Sequence, residues 1–396
     1  MKNNRTFLEK LLDGAEVEWK PLIKVASLTR GRVISKEYLA NNLGDYPVYS
    51  SQTVNNGEIG KINSFDFDGE FVSWTTDGAN AGTVFYRSGK FSITNVCGLI
   101  KIQNNLELNY KFLFYWLSIE AKNHVYSGMG NPKLMSHQME KILIPIPPLP
   151  VQTEIVKILD ALTALTSELT SELTLRRKQY EYYREKLLSE EELGKVGFEW
   201  RTLEELVEKT QSIKWKNNTK TYRYIDLTSV DRENNSITGT IEINALNAPS
   251  RAQKIVKEND VIFATTRPTQ QRVALISKEF SDEIASTGYC VLRANTKIVL
   301  PKWLFYFLST INFKNYVEEN QSGSAYPAIS DSKVKEFRIP VPEITIQQRI
   351  IEKLDKFYSL TNSLLHGLPK EINNRKKQYS YYQKELLNFL GDNIYE

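Results

Sequence analysis

The sequence predicts an α+β protein built as a tandem. Two mixed α/β domains are each followed by a long helix, and the two helices pack as an antiparallel coiled coil with pseudo-two-fold symmetry. Three observations predict this. RRKQYEYYREKLL (Arg176–Leu188) returns as RKKQYSYYQKELL (Arg375–Leu387). ILIPIPPLPVQTEIVKILD (Ile142–Asp160) returns as FRIPVPEITIQQRIIEKLD (Phe337–Asp355), so that Pro145, Pro147, Gln152 and Asp160 face Pro340, Pro342, Gln347 and Asp355. LFYWLS (Leu113–Ser118) returns as LFYFLS (Leu304–Ser309). Repetition on this scale sets the architecture before any single element is assigned.

Bulk properties agree. A chain of 396 residues exceeds one ordinary domain. Hydrophobic content of 41% and aromatic content of 11% support packed cores. A net charge of +4 excludes a strongly polybasic chain, while leaving room for local basic patches. Cys97 and Cys290 allow one bridge at most, which fits a reducing cytoplasm. MKNNRTFLEKLLDG lacks the apolar stretch of a signal peptide, and no run suits a membrane span.

In chain order, residues 1–18 form an N-terminal arm whose EKLL (Glu9–Leu12) echoes EKLL at Glu185–Leu188. Residues 19–150 form the first domain. VEWKPL opens it, and its counterpart FEWRTL opens the second, over residues 193–342. YPVYSSQTVNNGEIG carries the Asn56–Gly57 hairpin signal. FVSWTTDGANAGTVFYR reads as strand, turn, strand, broken at Asp77–Gly78, and KFSITNVCGLIKI as a strand pair. NYKFLFYWLSIEAKNHV and PKWLFYFLSTINFKNYVEE are helical.

The first long helix occupies residues 151–192. Prolines before Val151 suit a first helical turn. Ile155, Ile158, Leu162, Leu165, Leu169, Leu173, Tyr180, Tyr183 and Leu187 trace its seam. The second helix, in residues 343–396, has a capping-box pattern at Thr345 and Gln348. Its stripe is Ile350, Leu354, Phe357, Leu364, Tyr379, Tyr382 and Leu386. The copies differ in length: sixteen positions separate Asp160 from Arg176, but twenty separate Asp355 from Arg375. The first interval holds TSELTSELT; the second holds HGLP (His366–Pro369), where Gly and Pro should interrupt the helix. A plain dimerising coiled coil is the alternative, but two such helices in one chain favour pairing with each other.

Signatures of chemistry are scarce. No phosphate-binding G-x-x-x-x-G-K-[ST] loop is present, and SGMGNPKL (Ser127–Leu134) lacks the third glycine of a dinucleotide fingerprint. His124, His137 and His366 stand apart from one another and from the cysteines. Carboxylates such as Asp66, Asp68 and Glu70 raise a metal-nuclease reading, but they sit in a turn-like stretch.

Nucleic-acid vocabulary is richer. KTQSIKWKNNTKTYRY (Lys209–Tyr224) offers Lys214, Lys216 and Arg223 among aromatics, with no acid. TTRPTQQR (Thr265–Arg272) offers Thr266, Arg267, Gln270 and Gln271. Arginine can bridge guanine O6 and N7, and glutamine adenine N6 and N7. The matching loop of the first half, WTTDGANAG, offers Thr75, Thr76 and Asn80. TRGRVISK adds Arg30 and Arg32 for phosphates. Ser51, Asn55, Lys133 and Tyr326 complete the candidate DNA-binding set.

Taken together, the tandem strings IPIPPLPVQTEIVKILD … RRKQYEYYREKLL and IPVPEITIQQRIIEKLD … RKKQYSYYQKELL resemble the specificity subunit of type I restriction–modification systems over essentially the whole chain. The resemblance implies a sequence-specific DNA-binding subunit with no catalysis, metal or cofactor of its own. Two target-recognition domains would each read half of a bipartite, asymmetric DNA target, with the helices as spacer. Two methyltransferase subunits would dock on the helices and bring S-adenosylmethionine to adenine N6; motor–nuclease subunits would bring ATP and Mg. A prokaryotic, nucleoid-associated location follows. Lys178, Tyr180, Tyr183, Lys377, Tyr379 and Tyr382 would divide between helix seam and subunit interface. The alternative is a coiled-coil adaptor between proteins, without DNA specificity.

Overall fold

The computed structural model describes residues 6–128, 130–363 and 366–389. They form two compact units: residues up to Thr166 together with those from Arg375 onward, and Ser167–Asn374.

In the first unit, six strands form one sheet in the spatial order Ala26–Arg30, Cys97–Ile102, Phe67–Thr75, Val84–Ile93, Leu43–Tyr49, Glu58–Ile62. The hairpin predicted at Asn56–Gly57 joins the last two strands, with Asn55, Asn56 and Gly57 all at positive φ. KFSITNVCGLIKI does supply two strands, but they do not pair with each other. Phe67–Thr75 lies between them and bonds to both. The helix Tyr110–Glu120 buries Phe112, Leu113, Tyr115, Trp116 and Leu117 beneath the sheet.

In the second unit the corresponding frame is the four-stranded sheet Val207–Glu208, Tyr289–Ala294, Val261–Ala264, Val273–Leu275. A separate five-stranded sheet, absent from the first unit's described residues, carries Gln211–Ser212 and Tyr222–Ile225. The single helix expected from PKWLFYFLSTINFKNYVEE is two, Pro301–Phe307 and Ile311–Asn320. Thr310 breaks it by capping the second piece, its hydroxyl accepting from the Phe313 amide at 3.3 Å.

Both units close with the same ribbon. Glu18–Pro21 pairs antiparallel with Leu143–Ile146, and Glu199–Thr202 with Arg338–Val341. The register is equivalent: Trp19 faces Pro145, and Trp200 faces Pro340. Immediately after each ribbon sits a fully buried glutamine. Gln152 accepts from the Asn109 amide at 2.9 Å and donates to the carbonyls of Glu107 and Pro147 at 2.8 Å. Gln347 accepts from the Leu300 amide at 2.9 Å and donates to Ile298 at 3.0 Å and Pro342 at 2.8 Å. Two turns further on, Asp160 accepts from Lys111 and the Tyr115 hydroxyl, and Asp355 from Lys302 and Tyr306. Burial and then the carboxylate bond push both tyrosine hydroxyls up, holding them protonated as donors.

The central helix runs Leu149–Leu187. Positions 155, 159, 162, 166, 169, 173, 176, 180, 183 and 187, each buried or half-buried, step in an unbroken 4-3 alternation. That alternation includes Leu159, Thr166 and Arg176. Leu165, expected in the seam, is 44% exposed, and Ile158 is only partly buried. The expected seam followed leucine side chains, whereas this alternation takes in half-buried Thr166 and Arg176. Arg176 and Arg375 match in the repeat, and each donates to the glutamine three residues on, Gln179 and Gln378.

The second helix is interrupted where HGLP predicted: one segment ends at Asn362 and the next spans Gly367–Leu387. Gly367 has φ +78°, and a Cβ there would lie 2.6 Å from the Leu360 carbonyl oxygen. The capping box expected at Thr345 does not form; Glu343 is the N-cap, with no side-chain bond. Leu364 lies outside the described residues. Within the second unit Tyr180 meets Tyr358 edge-on, and Tyr183 stacks on Phe357 at 5.2 Å. Within the first, Leu386 and Leu387 share a core with Ile155 and Leu159, and Tyr379 bonds to Thr163. Rising numbers on one helix meet falling numbers on the other, so both pairings are antiparallel.

Two outcomes follow. Gln152→Leu keeps volume but strands one amide and two carbonyls, and should cost roughly 3 kcal/mol or more of first-unit stability at ~1–3 kcal/mol per orphaned group. Hydrogen exchange of the Tyr110–Glu120 amides measures it. Ending the chain at Gly367 removes Tyr379, Tyr382, Leu386, Leu387 and Phe389 from the first core, so exchange should accelerate there although the deletion is remote in sequence.

Candidate nucleic-acid interface

The two units present one backbone device at the tip of their shared frame. In the first, the amide of Leu134 donates to Thr76, and the amide of Gly78 to Pro132 at 3.0 Å. In the second, the amide of Ile329 donates to Thr265, and that of Arg267 to Pro327 at 2.7 Å. This equates Gly78 with Arg267, and both adopt the left-handed conformation, φ +88° and +49°. A non-glycine residue tolerates that region only when the surroundings impose it. Here the chain accepts the strain at Arg267 to display a guanidinium where its twin displays nothing.

Arg267 is exposed and lies 5.4 Å from the ring centroid of Tyr326, itself 72% exposed. That pairing keeps a cation and a stacking surface side by side in solvent. Gln270 is half-buried, its amide oxygen accepting from Arg272 Nε at 3.3 Å. Thr266 is half-buried on the same turn. Lys214 and Lys216 are exposed on the loop after Gln211–Ser212, with no ion-pair partner among the described residues.

The first unit's tip differs in chemistry. Arg30 Nη2 donates to the Asn95 carbonyl at 2.6 Å and to Thr76 at 3.3 Å, and stands 3.9 Å from Asp77. Lys133 also reaches Asp77 at 3.9 Å and remains half-exposed. Tyr126, overlooked in the sequence, is 67% exposed and exchanges both backbone hydrogen bonds with Lys133. Only this tertiary pairing marks it. Asn55 is exposed on its turn. Beneath it, buried Arg87 donates to the Asn56 carbonyl at 2.8 Å and stacks 3.6 Å over Tyr49. Asn80 Nδ2 donates to the Ser51 carbonyl at 3.1 Å, tying two expected reading loops together.

Several expected contacts are corrected. Thr75 and Thr76 are fully buried: the Thr75 hydroxyl donates to the Asn80 carbonyl, and that of Thr76 to Asp77, so both shape the turn from inside. Arg223 is spent on Glu279 and Glu283 and packs over Phe280. Arg32 is held in a two-bonded pair with Asp66. Gln271 lies with its amide nitrogen buried, in a cavity lined by Arg177 and Tyr180, instead of open at the turn. Of the expected subunit-interface tyrosines, Tyr180 is buried, and Tyr183, Tyr379 and Tyr382 pack inward. Lys178 and Lys377 are exposed. The tyrosines left in solvent are Tyr182 and Tyr381, 59% and 61% exposed at equivalent repeat positions. Each follows its exposed lysine by four residues, on the outer face of the heptad; that spacing was the available signal.

Asp66 is paired with Arg32 and Glu70 accepts from Tyr86, which removes them as a carboxylate cluster. No described group of three or more His, Cys, Asp or Glu is placed to hold a metal. Burial pushes the thiols of Cys97 and Cys290 up to about 11 and about 12, so neither is a thiolate near neutrality. No helix among the described residues is long and apolar enough to cross a membrane.

Two related heads that share a frame and differ at their tips define a two-headed recognition protein. Comparison with known proteins gives it a family. The model for the type I restriction modification DNA specificity domain matches twice, over residues 16–175 and 195–374. A putative type I specificity subunit of Mycoplasma pneumoniae is 33% identical, covering 92% of this chain and 96% of that one. A putative type I restriction enzyme specificity subunit of Haemophilus influenzae is 34% identical, covering 98% and 100%. A type I restriction enzyme specificity subunit of Escherichia coli is 31% identical, covering 97% of each. The crystal structure of a type I restriction–modification S subunit from M. genitalium shares the fold, with a TM-score of 0.61 at 16% identity over 94% of this chain and 96% of that one. The chain belongs to the type I restriction–modification specificity subunits, with two DNA specificity domains in tandem.

Arg267→Ala should relax discrimination at one target position by ~1–3 kcal/mol. Lys214→Ala with Lys216→Ala should weaken all duplexes alike and flatten the slope of log K against log salt by ~0.9 per phosphate lost. Fluorescence anisotropy across a panel of single-base target variants and salt concentrations distinguishes the two patterns.

Proposed function

We propose that this chain reads a bipartite, asymmetric DNA target, one half through each head, and scaffolds the enzymes that act on it. The observation that carries the reading is the paired turn: one backbone frame, Gly78–Pro132 and Arg267–Pro327, dressed with different side chains. Identical frames give two heads the same approach to a duplex, and different side chains give them different sequences. In the first half-site Arg30, Asn55, Lys133 and Tyr126 meet DNA; in the second, Arg267, Gln270, Tyr326, Lys214 and Lys216 do.

The chain itself performs no chemistry. Two methyltransferase subunits dock on the repeated helices and supply S-adenosylmethionine for adenine-N6 transfer. Motor–nuclease subunits supply ATP and Mg for cleavage, all in a prokaryotic cytoplasm. Docking of two identical subunits requires two equivalent surfaces, and the exposed Lys178–Tyr182 and Lys377–Tyr381 pairs provide them. The paired helices act as the ruler between half-sites.

Inserting one more TSEL after Leu173 adds about 6 Å of helix, at ~1.5 Å per residue. Methylome sequencing of a host carrying the variant and its methyltransferase should show a longer unread spacer between unchanged half-sites. An altered half-site with an unaltered spacer contradicts the ruler. Tyr182→Ala should release one methyltransferase and Tyr381→Ala the other, each weakening association on the order of tenfold or more. Native mass spectrometry reads the change as a shift from two bound subunits to one.

A further inference from the structure

Beside the second head's turn lies a polar cavity of about 330 Å³. Arg177 and Arg184 of the central helix enter it from one side, Arg232 and Asn235 from a loop, and Gln271 from the turn. Most of these groups have partners. Arg184 is nearly buried, bonded to Glu185 and lying 5.4 Å from the Tyr180 ring centroid. Arg177 is 4.0 Å from Glu233, whose side chain is 79% exposed. The Asn235 side chain donates to the Val273 carbonyl at 2.9 Å. Glu181, on the same lining, is exposed.

Two donors are left over. Arg232 is exposed with no ion-pair partner among the described residues. The Gln271 side-chain nitrogen is buried with no acceptor in reach. A buried amide N–H without a partner is costly, and native structures rarely tolerate one without a reason. The residue is also held at φ +47°, in the left-handed region disfavoured for a non-glycine. An unpaired buried donor, a free guanidinium and a second guanidinium shared only with a solvated carboxylate converge on one space. Their common complement is an acceptor-rich anion with several oxygens.

We propose that this cavity binds a phosphate group, with Arg232, Arg177 and the Gln271 amide as its donors, and that the phosphate belongs to the backbone of the bound duplex. The assignment rests on the DNA-reading function of the same head. Gln271 is the residue after Gln270 and four after Arg267, so a duplex whose bases meet those side chains carries its backbone past the flank of the turn where the cavity opens. Bound there, a phosphate would fasten the head to DNA and simultaneously to the helix that carries Arg177. Free inorganic phosphate has the same chemistry and is the other source.

The test uses the full chain with Arg232→Gln and Gln271→Leu, neither of which removes an apolar core group. Duplex binding is measured against salt by anisotropy, inorganic phosphate binding to the DNA-free chain by calorimetry, and stability by thermal melting. Expected for Arg232→Gln is an equal loss on target and non-target duplexes, with the salt slope reduced by ~0.9, the signature of one lost phosphate contact. Gln271→Leu should weaken the same binding without changing which bases are preferred. Duplex binding unchanged in both variants, with phosphate heat lost, assigns the cavity to the free anion and overturns the backbone contact. Unchanged binding of both probes, with a raised melting temperature for Gln271→Leu, shows a strained amide only and overturns the site. Failure of the underlying reading looks different: the unaltered chain would then bind duplex without steep salt dependence, and Arg267→Ala would leave its base preference intact.

Discussion

A buried glutamine at the start of each long helix holds the architecture together. Gln152 and Gln347 have no solvent exposure, and each spends its amide on three backbone groups from two other segments. No apolar residue can make those bonds. Each glutamine therefore locks the helix start, the ribbon that precedes it and the approach to the LFYWLS or LFYFLS helix into one geometry. The aspartate eight residues later, bonded to a lysine and a protonated tyrosine on that helix, adds a second fixed point. Two points define a direction. A helix so anchored is held to its own domain at two places.

That rigidity gives the seam its purpose. Tyrosines that look like surface recognition residues are turned inward to make antiparallel pairings, as with Tyr180 on Tyr358 and Tyr183 on Phe357. Broad rings bury large area at small entropic cost, and their hydroxyls find partners at the margin, as Tyr379 does at Thr163. Leu386, Leu387 and Phe389 complete a core that begins with Leu8 and Leu22, so the end of the chain is structural for its beginning. The heads then vary freely on a constant base. One extends its frame into a six-stranded sheet; the other adds a separate five-stranded sheet bearing Lys214 and Lys216 nearby.

Much of this was legible beforehand. The tandem, the helix pair and the break at HGLP follow from repeated strings and from proline and glycine chemistry, which act locally and leave marks in sequence. The turn at Gly78 was visible for the same reason. The seam was legible in rhythm but less so in phase: leucine at 165 outscored threonine at 166, although the threonine is the less exposed of the two. The reading surface was legible as a region and misassigned in parts. Arg223 and Arg32 look like free cations until Glu279, Glu283 and Asp66 arrive from elsewhere in the chain.

By itself, the sequence determined the number of heads, the order of elements, the kinship of the two halves and their family, because duplication is written in residue identity. Tertiary structure alone decided which polar side chains remain available. Thr75 and Thr76 are inside, while Tyr126, Tyr182 and Tyr381 are outside. The physical reason is that a hydrogen bond or ion pair is made by whichever group lies within about 3 Å, and only the folded chain brings distant residues that close.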